Sequence, residues 1–286
     1  MVKISQGHIK SWLAGTPPLS EQRAIASFLD RETAKIDGLV AKKERLIELL
    51  QEKRTALITR AVTQGLDPNV PMKDSGVKLF RKIPREWATA RLRWLMQRVV
   101  RPVDVDPGSY YREIGIRSWG RGAFHKEQRL GAHLEDKKVF YVCPGDFVLN
   151  IVFAWEGAVA VMSEGESGMI ASHRFPTFRH AADNVDLDYL LLFFQSDQGR
   201  DLMALHSPGA AGRNKTIRLG AFLDEEIPLP PLVTQRRIVS RVREQEDRMY
   251  QLLGKAGELM EYLKEFRTAL ICAAVTGKID VRDESA

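Results

Sequence analysis

One stretch of this chain occurs twice. Residues 17–67, PPLSEQRAIASFLDRETAKIDGLVAKKERLIELLQEKRTALITRAVTQGLD, align without a gap to residues 230–280, with 22 identities in 51 positions at an offset of 213. The identities cluster at Pro17-Pro18-Leu19 and Pro230-Pro231-Leu232, at Gln22-Arg23 and Gln235-Arg236, and in RTALI at 54–58 and 267–271. Upstream the match fades but persists, with Ile4 and Gly7 facing Ile217 and Gly220. A repeat of this length signals two copies of one structural unit.

Each copy reads as one long helix. Apolar residues recur at steps of three and four, from Ile25 to Ala61 and from Ile238 to Ala274, which is helical periodicity with heptad-like stretches. The Pro-Pro pairs bar helix before them and suit a start just after. Gly65 and Gly277 follow the last apolar turns as stops. A helix from Ser20 to Thr63 would run roughly 65 Å, too long to bury its stripe on one small domain. Two copies can bury each other, and the 149 residues from Arg81 to Leu229 let the second return antiparallel to the first. Leu39, Leu46, Leu50, Leu252, Leu259 and Leu263 are the expected seam. Val40, Ile47, Leu49, Leu253, Met260 and Tyr262 widen it beyond the a and d positions of a two-stranded coil. The surplus predicts a homodimer through the helices, with Leu39, Leu46, Ile47, Leu50, Leu252, Leu259, Met260 and Leu263 at the interface.

Residues 66–80 read as a Pro/Gly-rich connector. Beyond them, short strands are expected at Val139–Val142, Phe147–Phe153 and Gly157–Met162, with Pro144-Gly145-Asp146 as a turn. Helices are expected at Tyr189–Gln195, capped by the Asp186-Leu187-Asp188 segment, and at Gln198–Leu205. The segment 207–216, SPGAAGRNKT, is a Gly-rich basic loop. The fold class is therefore α+β: a globular domain at 81–229 inserted between two long helices, at 17–65 and 230–280, that form an antiparallel coiled coil, with a tail at 281–286.

Charge is unevenly placed. The chain carries +6 overall, but 81–138 holds 14 basic and 7 acidic residues, whereas 139–229 holds 6 and 12. This asymmetry suggests one basic face, suited to a phosphate backbone. Candidate DNA contacts mix aromatic and basic types: Tyr110, Tyr111, Arg112, Arg117, Ser118, Trp119 and Arg121, then Arg213, Asn214 and Lys215 in the Gly-rich loop. Arginine pairs two-pronged with guanine, asparagine reads adenine, and Tyr or Trp packs on sugar or a thymine methyl. Lys126, Arg129, Lys137 and Lys138 are expected at phosphates, and Arg174 is a further candidate DNA contact. Phe153-Ala154-Trp155 and Phe193-Phe194 read as core.

No catalytic site is expected. An amino-methyltransferase needs an Asn/Asp-Pro-Pro-aromatic loop around a flipped base, and neither Asp106-Pro107-Gly108-Ser109 nor Asp67-Pro68-Asn69-Val70 fits. No G-x-G-x-x-G follows a strand. Glu135-Asp136-Lys137 lacks a placed partner carboxylate, and the six histidines have no metal-ligand spacing. Two distant cysteines, Cys143 and Cys272, suit a reducing cytoplasm. No apolar run of 18 exists to span a membrane, and the opening Met1–Gly7 lacks the apolar region of a signal peptide.

The blocks PPLSEQRAIASFLD, EKRTALI and VTQGLDP resemble the conserved region of specificity subunits of type I restriction–modification systems. Ile83-Pro84-Arg85-Glu86-Trp87 with Arg91-Leu92 resembles the opening of a target recognition domain in that family, and Gly209–Thr216 followed by Ile227–Leu232 its close. Such subunits alternate two recognition domains with two conserved helices. This chain runs helix, one recognition domain, helix, and residues 1–16 resemble the tail of a preceding recognition domain, so the whole resembles a half-subunit. The resemblance implies a non-catalytic subunit that reads one half of a split double-stranded DNA target. It implies two copies of an adenine-methylating modification subunit held by such a subunit, and motor–nuclease subunits that join them, with the coiled coil as the ruler that fixes the gap between half-targets. S-adenosylmethionine, ATP and Mg would sit on those partners and no cofactor on this chain. The alternatives are a coiled-coil assembly module whose domain binds protein, or an inactive reservoir of a recognition domain.

Overall fold

The computed structural model describes residues 15–134, 137–209 and 215–281. Two long helices bound the domain in sequence, α1 (Leu19–Gln64) and α6 (Leu232–Val275). Their entries are built alike. Pro18 O accepts from Gln22 N (3.0 Å) and Pro231 O from Gln235 N (3.0 Å). The amide Nε2 of each glutamine turns back onto the first proline of its pair, Pro17 O and Pro230 O, both at 2.8 Å. Gly65 and Gly277 take φ of 83° and 68°, the left-handed stop a Cβ would disfavour.

The chain divides into two compact units, one made of residues 1–50 and 250–286, the other of 51–249. The boundary falls inside both helices, not at their ends. In the first unit Phe28, Ala274 and Val281 form a buried cluster with Ala24, Ile25, Leu29, Leu270 and Ile279 around it. Arg267 pairs Asp37 at 3.0 Å. Partner numbers rise on one helix as they fall on the other. In the second unit Arg54 pairs Glu246 at 2.6 Å, and Ile58, Ala61 and Val62 share a core with Ile238, Val239 and Val242.

Burial divides the expected seam: Leu50 and Leu263 turn inward as expected, whereas Leu39, Leu46, Leu252 and Leu259 give way to neighbours one position on. Ile36, Met249, Ala256 and Leu263 are buried, and Val40, Ile47, Leu50, Leu253 and Met260 are half-buried. Leu39, Leu46, Leu49, Leu252, Leu259 and Tyr262 are exposed. Two apolar stripes lie side by side on each helix, so hydrophobic spacing alone does not choose between them. Polar pairs choose. Arg54 and Arg267 occupy steps of the buried series and reach Glu246 and Asp37; turning the Leu39 stripe inward would swing both arginines away from these acids.

Among the described residues the globular part holds two four-stranded sheets. One has the order β6-β5-β10-β7, from β5 (Tyr110–Ile116), β6 (Ala123–Leu130), β7 (Val139–Tyr141) and β10 (Ile170–Ser172), with β10 parallel to β5. The other has the order β4-β11-β8-β9, from β4 (Met96–Val99), β8 (Phe147–Leu149), β9 (Val159–Val161) and β11 (Thr177–His180), and is antiparallel. Ile114, Ile116, Val142, Val148, Ala160 and Ala171 form one apolar cluster across them. Among the described residues two antiparallel pairs complete the strands, the local pair β1 (Met72–Asp74) with β2 (Lys82–Pro84) and the long-range pair β3 (Ala88–Arg91) with β12 (Glu226–Leu229).

Two short helices, α2 (Leu92–Leu95) and α5 (Leu219–Leu223), accompany two longer ones, of which α3 (Leu187–Gln195) starts where Asp186 Oδ1 accepts from Asp188 N and Tyr189 N. Ser196 caps α4 (Asp197–Leu205). Phe193 and Phe194 are core residues, with Phe80, Phe147 and Phe222 packed at centroid distances of 5.5–5.7 Å. The connector is thus not a free linker: Phe80 is buried, and Val77 and Leu79 pack on the same core. Tyr189 is wholly buried and donates to Pro228 O at 3.1 Å; burial pushes its phenol far above the ordinary range. Gln235, also buried, accepts from Asp186 N and donates to Asn184 O, both at 2.8 Å. Among the described residues no helix is long and apolar enough to cross a membrane.

Candidate nucleic-acid interface

Most of the sequence-predicted contacts lie on one hairpin. Strands β5 and β6 pair antiparallel from Tyr110↔Leu130 to Ile116↔Ala123, with a bulge between Arg112 and Ile114. Strand β6 is an outer strand, and its residues from Phe124 to Arg129 are exposed. Tyr110, Arg112, Lys126 and Arg129 lie along this hairpin, all exposed. Tyr111 differs. Its hydroxyl accepts from Asp106 N at 3.0 Å, and its ring packs on Leu134, Val139 and Ile170, so alternation along the strand turns it to the core.

Arg117, Ser118, Trp119 and Arg121 form the turn that joins β5 to β6. A short 3-10 turn at Ala154–Glu156 fastens it. Ser118 Oγ donates to Glu156 Oε2 (2.5 Å), Trp119 N to Glu156 O (2.8 Å) and Gly120 N to Gly157 O (2.8 Å). From α3, Gln195 Nε2 donates to Gly120 O at 2.7 Å. A Cβ at Gly120 would stand 2.3 Å from Gln195 Cγ, so only glycine fits there. Trp119 has φ of 65°, a region that costs a bulky residue about 1–3 kcal/mol.

Three cation–ring contacts surround this turn. Arg117 lies over Phe124 at 5.3 Å, Arg200 over Trp119 at 4.8 Å and Lys215 over Trp155 at 4.7 Å. The 154–156 turn therefore gathers the hairpin tip, α4 and the foot of the Gly-rich loop. Arg174 is exposed, and its carbonyl accepts from Ile151 N, whose own carbonyl accepts from Ile217 N. Arg213 and Asn214 lie outside the described residues. Trp155, Glu156, Gln195 and Arg200 were not legible as site residues. Trp155 is half-buried rather than core, and nothing in a lone Trp-Glu-Gly or in an amphipathic helix marks the loop each supports.

The basic segment is partly neutralised from within. Arg91 pairs Glu226, Arg93 pairs Asp224, Arg101 pairs Asp146 and His125 pairs Glu166. Residues of the acidic stretch 139–229 thus meet those of 81–138, and the charge asymmetry does not translate whole into a basic face. Burial opposes ionisation of Glu166, but bonds from His125 (2.7 Å) and Ser163 hold its carboxyl below the ordinary value. Lys126 approaches Glu113 at 3.6 Å. Arg112, Arg117, Arg121 and Arg129 have no acidic partner among the described residues. Those residues also contain no group of three or more His, Cys, Asp or Glu placed to hold a metal.

Fold and surface together define an α+β domain, set between two repeated helices, with a rigid aromatic and basic hairpin tip. No protein-family model matches the chain. Across 98% of its length it is 23% identical to a Methanocaldococcus jannaschii protein assigned as the type I restriction enzyme MjaX specificity subunit. Across 84% it is 24% identical to the type I restriction enzyme EcoBI specificity subunit of Escherichia coli. The chain spans 62% and 53% of these relatives' lengths. Among solved structures, it is similar to a chain from a study of complex assembly and conformational transition in the type I R-M system. There the TM-score is 0.66 at 16% identity, covering 95% of this chain and 63% of the other. The HsdS subunit from Thermoanaerobacter tengcongensis gives a TM-score of 0.53 at 18% identity, over 96% of this chain and 63% of that one. In sequence along most of its length, and in fold, the chain is similar to specificity subunits of type I restriction systems.

Proposed function

We propose that this chain is a sequence-recognising subunit, or half-subunit, of a type I restriction–modification complex. Its globular domain reads one half of a bipartite double-stranded DNA target, and the chain scaffolds the modification subunits. The observation that carries this reading is the clamped β5–β6 turn, where Trp119, Arg117 and Arg121 are all exposed, each arginine also donating to a carbonyl of the turn, Ala123 O at 2.5 Å and Ser118 O at 3.1 Å. The similarity to specificity subunits supports it. The chain itself is non-catalytic and works in the cytoplasm. Methyl transfer with S-adenosylmethionine, and ATP- and Mg-dependent translocation and cutting, belong to the partner subunits.

On this reading the long helices form an antiparallel coiled coil that spaces two recognition domains, as dimer geometry spaces half-sites elsewhere. The exposed stripe of Leu39, Leu46, Leu252 and Leu259 takes a second copy, giving a two-fold homodimer.

Duplex binding by the purified chain at rising salt tests the DNA reading. The logarithm of affinity should fall linearly with the logarithm of salt, and Arg129→Ala should flatten the slope by about one unit. Binding that is absent, or indifferent to salt, would favour a domain that binds protein.

A further inference from the structure

Trp119 is the only described residue other than glycine with a positive φ, and 52% of its surface is exposed. Neither property serves the fold. A left-handed turn position is met more easily by Gly or Asn, and an indole left half in water forgoes about half the burial its size could supply. The surroundings nevertheless hold it firmly. Its own N–H and that of Gly120 are bonded to Glu156 O and Gly157 O, and Gln195 fixes Gly120 O. Arg200 lies against the ring, and Arg200 is itself held by Asp197 Oδ1 at 2.5 Å and Gln195 O at 3.3 Å.

We infer that Trp119 is the apolar reading residue of this domain, packing its one open face on the sugar and base edge of a nucleotide pair in a duplex groove. The inference rests on the DNA-recognition reading and deepens it. Arg200 occupies the other face, so the indole cannot slide between two stacked bases as a wedge does; it works as a groove-wall contact. Arg200, Glu156 and Gln195 are positioning residues, each acting through Trp119. Duplex DNA fits this tip because the same turn carries two further exposed cations, Arg117 and Arg121, neither of which has an acidic partner among the described residues. The nearby acids, Glu156 and Asp197, are engaged by Ser118 and Arg200.

The test is a selection by the full chain from a duplex library with a randomised centre, followed by titration of the selected duplex. Trp119→Asn keeps a residue that tolerates the left-handed turn, so its thermal stability should equal or exceed that of the parent. It should bind the selected duplex about tenfold more weakly and lose discrimination at one or two adjacent positions. Trp119→Gly is the second variant and should behave alike. Arg200→Gln should weaken binding in the parent but have no further effect beside Trp119→Asn, which a merely structural role would not produce. An unchanged motif and affinity in both folded Trp119 variants overturns the inference while the DNA reading stands. A parent chain that enriches no sequence and binds no duplex overturns both.

Discussion

Asp146 carries the heaviest single electrostatic duty in the domain. Its carboxylate is fully buried. Arg101 Nη1 and Nη2 donate to it at 2.7 and 3.1 Å, Arg179 Nε at 2.7 Å and Cys143 N at 2.8 Å. In Asp146→Asn one oxygen becomes an NH2 that faces a guanidinium, and the charge that both arginines answer is gone. Breaking a fully buried ion pair costs about 3–5 kcal/mol. Here the side chains of Arg101 and Arg179 keep 30% and 39% of their surface and recover part of their hydration, so roughly 2–3 kcal/mol is expected. For a unit of this size that corresponds to a fall in Tm of about 5–10 °C. Calorimetry on the parent, on Asp146→Asn, on Arg101→Met and on the double variant measures it. The double variant should be less destabilised than the two single changes summed, because they share one interaction. A loss under about 0.5 kcal/mol, or strict additivity, refutes this reasoning.

Three further outcomes follow from other parts of the molecule. Leu46→Glu with Leu259→Glu should leave helicity intact and halve the mass seen by light scattering, whereas a parent already near 32.4 kDa rules out the dimer. Leu50, half-buried in the seam, is the wrong residue for that test. Glu166→Gln should cost roughly 1 kcal/mol near neutral pH. The carboxyl's folded pKa is lowered, so its contribution is present above the unfolded value and disappears as pH falls through the folded one; urea titrations of parent and variant should converge in acid. Gly199→Ala should destabilise by about 3 kcal/mol or more, because the new Cβ would lie 2.0 Å from Phe193 O in the fixed backbone between α3 and α4; soluble expression and a near-parental Tm would contradict this.

How much of this was written in the sequence depends on range. The helix ends were legible because Pro-Pro and Gly act locally, and Asp186 was legible as a cap for the same reason. The aromatic pair Phe193-Phe194 announced the core. The buried stripe was only partly legible: Leu50 and Leu263 fall in it, but Leu39, Leu46, Leu252 and Leu259 do not, since two adjacent apolar stripes differ by only one residue in phase and the arginine–acid pairs that separate them lie 192 and 230 positions apart. Nor was the partial neutralisation of the basic segment: Pro144-Gly145-Asp146 read as a turn, but that Asp146 turns inward to Arg101 and Arg179 is a tertiary fact. Arg117, Ser118, Trp119 and Arg121 stood out by composition alone, not as one turn. The turn's rigidity comes from Glu156, Gln195 and Arg200, whose chain positions carry no sign of it.

The most direct test of the central claim is the adenine methylome of cells that supply the modification partners, compared with and without this chain. A second arm exchanges residues 81–229 for the corresponding domain of a relative. The account predicts a methylated split motif that appears only with the chain and changes when the domain is exchanged. Identical methylomes in all three strains would contradict it.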